Sequence, residues 1–300
     1  MSTVKYAVRR LIQAVPVILG IATITFFLIN AIPGDPARIL IGPGAPADAV
    51  DAVRAKYGLD RPLWERYLTY MFGVIQGDLG RSIHYGGAPV LQKIMERLPV
   101  TLLLMVSSFT FAIGTAIPLG MLSAKRRNQT SDHVSRLVAL FGVSTPSFWI
   151  GLMLIIIFAF HLDVLPATSL VMPWADPTTV NNASTQLDVV QKSAVHLIMP
   201  SITLGTLYMA AVMRIERSSM LEVLKKPYIE LARAYGIPEQ KIVRKHAFKN
   251  AQLPVITVLG LQLTSALGGA VLTETDFNIN GMGPLIITPI NNQHYQNAAG

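Results

Sequence analysis

Four stretches of this 300-residue chain contain no Asp, Glu, Lys or Arg: Leu11–Ile32, Leu98–Ala124, Leu137–Phe160 and Leu253–Thr273. A helix crossing the hydrocarbon core of a bilayer needs about 20 apolar residues, and each stretch meets that length. Leu197–Met213 is shorter but equally free of charge, and it suffices if His196 and Arg214 lie at the interfaces. Only 14% of residues are charged, against about 25% in an ordinary soluble domain. Because a spanning segment must satisfy its own backbone, the pattern predicts an all-α polytopic membrane protein with five visible spans. The first stretch is too long for the apolar core of a secretory signal. It runs into "NAIPGDPAR" (30–38) with no small-residue cleavage site, so it is expected to be retained as a span.

Charge predicts orientation. Residues 1–10 carry a net +3, residues 125–136 +3 and residues 214–250 +5. The intervening connections are near neutral or acidic: +1 over 33–98, −2 over 163–196, and −2 from Glu274 and Asp276. Short basic loops stay in the cytoplasm, so the N-terminus and the two later basic segments are expected there. The basic balance is thereby accounted for by topology and gives no reason to expect nucleic acid. With no cysteine, the chain has no disulfide or thiolate metal site. The six histidines show no metal-ligand spacing.

One polar segment stands out between the last two stretches, "ELARAYGIPEQKIVRKHAFKNAQLP" (230–254). Gly236 is a natural C-terminal stop for a first helix, and Pro238 suits the first turn of a second. The second helix sets Val243, Ala247 and Ala251 on one face and Lys241, Arg244 and Lys245 on another. Ala232, Ala234 and Gly236 would let another surface come close. The segment therefore reads as a bent helical hairpin presented to a partner, with a basic helix lying on anionic headgroups as the competing reading.

Glu230, Ala232 and Gly236 form a Glu-x-Ala-x-x-x-Gly pattern that resembles the EAA loop of ABC importer permeases. "HAFKNAQLPVITVLG" after it is similar to the dipeptide/oligopeptide branch. So are "INAIPGDPA" (29–37), "KYGLDRPLWERYLTYMFGVIQGDLGRS" (56–82), "STPSFWIGL" (144–152), "GGAVLTET" (268–275) and "NGMGPLI" (280–286). The resemblance covers essentially the whole chain. It implies a type I importer permease bundle, with an N-terminal span and external segment (1–97) and a permease core (98–300) holding the coupling loop (214–252). It further implies a translocation path shared with a second permease, and coupling to a separate cytoplasmic ATPase through Glu230, Ala232, Arg233, Ala234, Gly236, His246 and Asn250. The chain departs from the pattern at Leu231, where the family has Ala, at Ile237, where Ser or Thr often stands, and at Asp276, usually apolar.

The resemblance also implies an extracytoplasmic substrate-binding protein, for which 33–97 is expected to be a scaffold, and a prokaryotic cell membrane. ATP and Mg belong to the partner ATPase, since no G-x-x-x-x-G-K-[ST] occurs here; no cofactor is expected on this chain. Candidate path residues are Gln262, Ser265 and Thr203, with Glu274 and Asp276 placed to meet a peptide amino group. The family has six spans and five are visible, so the last is expected to be missing. Nickel or another small solute remains an alternative cargo. An autonomous secondary transporter is disfavoured because no internal repeat or intramembrane charge is seen. An intramembrane enzyme is disfavoured by the absence of G-x-S-x-G and H-E-x-x-H.

Overall fold

The computed structural model describes residues 3–31, 34–42, 44–82, 85 and 87–288; the "QHYQNAAG" end and His84 lie outside them. Two compact units result, Met1–Glu96 and Arg97–Gly300. The architecture is all-helical; among the described residues the β-structure is one isolated bridge, Arg81 to Pro89.

In the first unit, α1 (Thr3–Ala31) is followed by α2 (Pro36–Ile41), α3 (Ala47–Tyr57) and α4 (Leu63–Gln76). Asp35 starts α2 by accepting a hydrogen bond from the Ala37 N–H, and its other oxygen binds Arg54 of α3 at 2.6 Å. Helix α4 lies against α1: the Phe26 ring sits 5.5 Å from Tyr67 and 5.6 Å from Tyr70. The hydroxyls of Thr23 and Tyr67 meet at 3.0 Å.

The second unit is built around α8 (Gln186–Val223), which packs against α6 (Thr130–Ser144), α7 (Ser147–Leu154) and α11 (Phe248–Asp276). A capping box of Thr185 and Asp188 starts it. Met199, Leu204, Tyr208, Val212 and Met213 of α8 form the core with Leu104, Phe109, Ala112 and Ala116 of α5 (Val90–Lys125). Small residues permit this closeness. A Cβ at Gly205 would lie 2.8 Å from the Ser108 carbonyl oxygen, and three residues on Phe109 and Tyr208 stack at 4.6 Å.

At 1.5 Å per residue, α1, α5 and α8 are about 44, 54 and 57 Å long, so each exceeds a hydrocarbon core of about 30 Å. Among the described residues these are the three helices long and apolar enough to cross a membrane, or up to five if each of two bent pairs is one span. The expected third span, Leu137–Phe160, is not one straight helix. Helix α6 stops at Ser144, and α7 with its π-helical continuation (Ile155–His161) leaves at 103°. The cause is Pro146. It disfavours helical backbone at the preceding residue, and here Thr145 is extended (φ −89°, ψ 128°). In contrast, Pro16, Pro99, Pro118, Pro200 and Pro254 all sit inside continuous helices. The fifth stretch bends by 55° between Ala266 and Ala270.

Candidate functional site

At the end of α8 the chain turns into α9 (Pro227–Ala234), with Pro227 in its first turn. Gly236 adopts φ +73°, where only glycine is unstrained. Its N–H donates to the Arg233 carbonyl at 2.9 Å and the Ile237 N–H to Ala232 at 3.2 Å. This pair of bonds is a Schellman stop. Ala232 and Ile237 pack onto the same apolar cluster beneath the turn. Pro238 then caps α10 (Glu239–Lys241), which runs through a π-helical turn (Ile242–Ala247) directly into α11. No side chain caps this second helix. Instead Arg233 closes the hinge with two bonds to the Glu239 carboxylate, 2.9 and 3.1 Å. That carboxylate raises the Arg233 guanidinium above its ordinary value.

The hairpin has two faces. Ile229, Ile242, Val243, Ala247 and Ala251 are buried on one, joining Ala124, Met220 and Val223. Facing outward are Leu231 and Tyr235, 56% and 78% exposed, with Glu230, Arg233, Ala234 and Gly236 beside them. Lys241, Arg244 and Lys245 are exposed on the second helix. His246 is half-buried, while Asn250 is exposed and donates to the His246 carbonyl and the Tyr228 hydroxyl.

The two legs of the hairpin, α8 and α11, are tied to each other. Gln252 donates to Glu216 at 2.8 Å, and the Ser219 hydroxyl to the Ala251 carbonyl at 2.8 Å. Glu216 is fully buried and fits because residue 120 is glycine; a Cβ there would lie 2.7 Å from Glu216 Cγ. The neighbouring Arg217 faces α6 and grips the buried Asp132 through Nε at 2.8 Å and a terminal nitrogen at 2.9 Å. Ser123 and the Asn128 N–H complete the shell of that carboxylate.

The residues expected along a path are dispersed. Gln262 is half-buried, and Ser265 is exposed with its hydroxyl toward the Leu261 carbonyl. Thr203 corrects the expectation: it is fully buried and its hydroxyl donates to Met199, so it lines nothing. Glu274 does so too. It is fully buried, accepting from Thr101 at 2.5 Å and from the Gly283 N–H at 2.6 Å, and so is spoken for inside the subunit. Asp276 is half-buried, and its Oδ2 is buried with no hydrogen-bond partner. Among the described residues no three of His, Asp and Glu cluster as a metal site would require.

Residues 116–300 match the family described as binding-protein-dependent transport system inner membrane component, and residues 3–105 match the N-terminal region of the same components. The chain belongs to this family. It is an all-helical, multi-pass inner membrane permease subunit of an ABC importer, working with other subunits of a transport system. The permease is 42% identical over 282 residues to the probable D,D-dipeptide transport system permease protein of Escherichia coli K12, covering 91% of this chain and 83% of that one. It is 40% identical over 298 residues to the dipeptide transport system permease protein of Alkalihalophilus pseudofirmus, covering 97% and 89%. It is 37% identical over 282 residues to the oligopeptide transport system permease protein of Bacillus subtilis, covering 94% and 86%.

Sequence reasoning passed over Glu216, Arg217, Asp132 and Gln252 in the permease. One signal was present: Glu216 and Arg217 sit in the helix that continues an apolar span, where a charge must find a partner. Nothing local named the partners, 36 and 85 residues away.

Proposed function

We propose that the permease forms the path of an ATP-driven importer for dipeptides or oligopeptides, together with a second homologous permease. The 230–254 hairpin is the point at which a separate cytoplasmic ATPase drives it. The observation that carries the coupling reading is the outward face of α9. An aromatic and an aliphatic side chain, Tyr235 and Leu231, stand exposed on a short helix whose other face is anchored by the fully buried Ile229. Glu230 and Arg233 stand beside this tip, and the basic residues Lys241, Arg244 and Lys245 are carried on the second helix instead, so α9 offers a mixed apolar and charged surface of the kind a protein partner can cover. Peptide cargo is supported by the relatives, which are D,D-dipeptide, dipeptide and oligopeptide permeases. The orientation follows from loop charge, with the N-terminus and the hairpin in the cytoplasm. ATP and Mg would act on the ATPase, and an extracytoplasmic binding protein would deliver cargo.

In this reading the mechanism is mechanical. Closure of the ATPase displaces α9, and the displacement enters the bundle through α8 and α11. The bundle alternates between two arrangements, and the ATPase and the loaded binding protein each bias the balance by their different affinity for the two. The test is co-purification of the co-expressed ATPase with wild type, Leu231→Glu and Tyr235→Glu. Both variants alter exposed positions only, so insertion and yield should hold while ATPase retention and cargo-stimulated hydrolysis fall. Full retention and stimulation in both would defeat the coupling assignment.

A further inference from the structure

We infer that α4 is itself embedded in the bilayer surface, with Trp64, Leu68, Phe72 and Ile75 facing lipid acyl chains. The argument lies within the first unit and is independent of cargo and coupling. Helix α4 divides into three faces when its residues are placed about 100° apart. Tyr67, Tyr70 and Met71 form one face and meet α1 at Thr23, Phe26 and Phe27. Trp64, Leu68, Phe72 and Ile75 form the next, an arc of about 80°; they are 63%, 45%, 62% and 67% exposed. Glu65, Thr69 and Gln76 occupy the third. The α1-facing and exposed apolar faces are contiguous, and the polar face lies opposite their middle.

What covers the apolar stripe follows from where α4 is held. Thr23 to Phe27 lie five to nine residues inside the end of the charge-free stretch at Ile32, or about 8–14 Å of helix. The neighbouring α1 side chains Ile21, Ile24 and Leu28 are exposed in the same region and must face lipid if α1 spans. A helix packed beside that length of α1 shares its depth, so its apolar stripe continues the same lipid-facing surface. At 14 residues, α4 is about 21 Å long, too short to cross the core. The arrangement is that of an interfacial helix, apolar below and polar above. A four-residue aromatic and aliphatic stripe held in water at this level would be left without cover.

The absence of native cysteine makes the test direct. Single cysteines at 64, 68, 69, 72, 75 and 76 of the full chain, reconstituted in phosphatidylethanolamine–phosphatidylglycerol vesicles, are labelled with a nitroxide. Collision with dissolved oxygen and with a water-soluble nickel chelate is then read for each. Labels at Ile18 and Ile21 of α1 establish that a given preparation is inserted. High oxygen and low nickel collision at 64, 68, 72 and 75, reversed at 69 and 76, is the expected result. Nickel collision at the stripe equal to that at 69 and 76 would overturn it, as would protection of the stripe from both reagents, which would mean a protein contact.

Discussion

Replacing Arg217 by methionine should destabilise the permease core far more than the loss of an ordinary surface ion pair. The Asp132 side chain is fully buried, and Arg217 is 20% exposed. Four donor groups converge on the carboxylate: two nitrogens of Arg217, the Ser123 hydroxyl and the Asn128 N–H. Removing Arg217 leaves a buried anion with only the two neutral donors. Breaking a buried pair by deleting one partner costs about 3–5 kcal/mol, whereas an exposed pair is worth about 0–1 kcal/mol. Because Arg217 keeps some contact with solvent, the lower figure, about 3 kcal/mol, applies. For a unit of this size each kcal/mol moves the midpoint by about 2–4 °C, so the expected loss is about 6–12 °C. Thermal unfolding of the purified protein in one detergent, followed by loss of the monodisperse peak, measures it. The cycle is completed with Asp132→Asn and the double variant, which removes the stranded charge and should recover part of the loss. A loss below about 1 kcal/mol in both single variants, the range of an exposed pair, would refute the reasoning.

Gly236→Ala should cost about 1–2 kcal/mol with no steric component, since only left-handed backbone opposes it there and nothing lies within 4 Å of the position; Gly236→Asn should cost less, and the order is read by thermal unfolding. Thr101→Val should cost about 2 kcal/mol or more, because the Thr101 hydroxyl both donates to Glu274 and accepts from the Met282 N–H; Glu274→Gln, which keeps an acceptor, should be milder in the same assay. Gly205→Ala should destabilise by about 1–3 kcal/mol through overpacking, since its methyl would meet the Ser108 backbone of α5; Gly260→Ala, with open space around it, is the control expected to be silent.

Much of the hairpin was legible because its determinants are local. Gly236, Pro238 and the spacing of Val243, Ala247 and Ala251 specify a stop, a restart and a buried face within a few residues, and each is found so. The charge-free runs were legible for the same reason: length and composition suffice. The break at Pro146 was half-legible, since the proline announces a disturbance but not whether neighbouring contacts will hold the helix together, as they do around Pro200. Thr203 and Glu274 were misjudged for one physical cause. A polar residue in an apolar helix can face a path or the inside of the fold, and the choice rests on packing that the local pattern does not show: the Glu274 carboxylate accepts from Thr101, 173 residues away in sequence, and Thr203 is closed in by the core. At the hinge, Ile237 stands where Ser or Thr often does and has no side-chain oxygen to cap the second helix; the clamp from Arg233 to Glu239, six residues apart, ties the turn instead.

The Glu216–Gln252 and Ser219–Ala251 bonds are the rungs of a short ladder between two helices running in opposite directions. A single stalk can twist or bow under a sideways push at its tip. Two rails joined at successive rungs resist shear, so a push on the tip is shared between them and arrives at both at once. If a partner pushes on the hairpin, as proposed above, α8 and α11 would receive one stroke in phase. Severing a rung would then convert that common stroke into two independent and smaller ones.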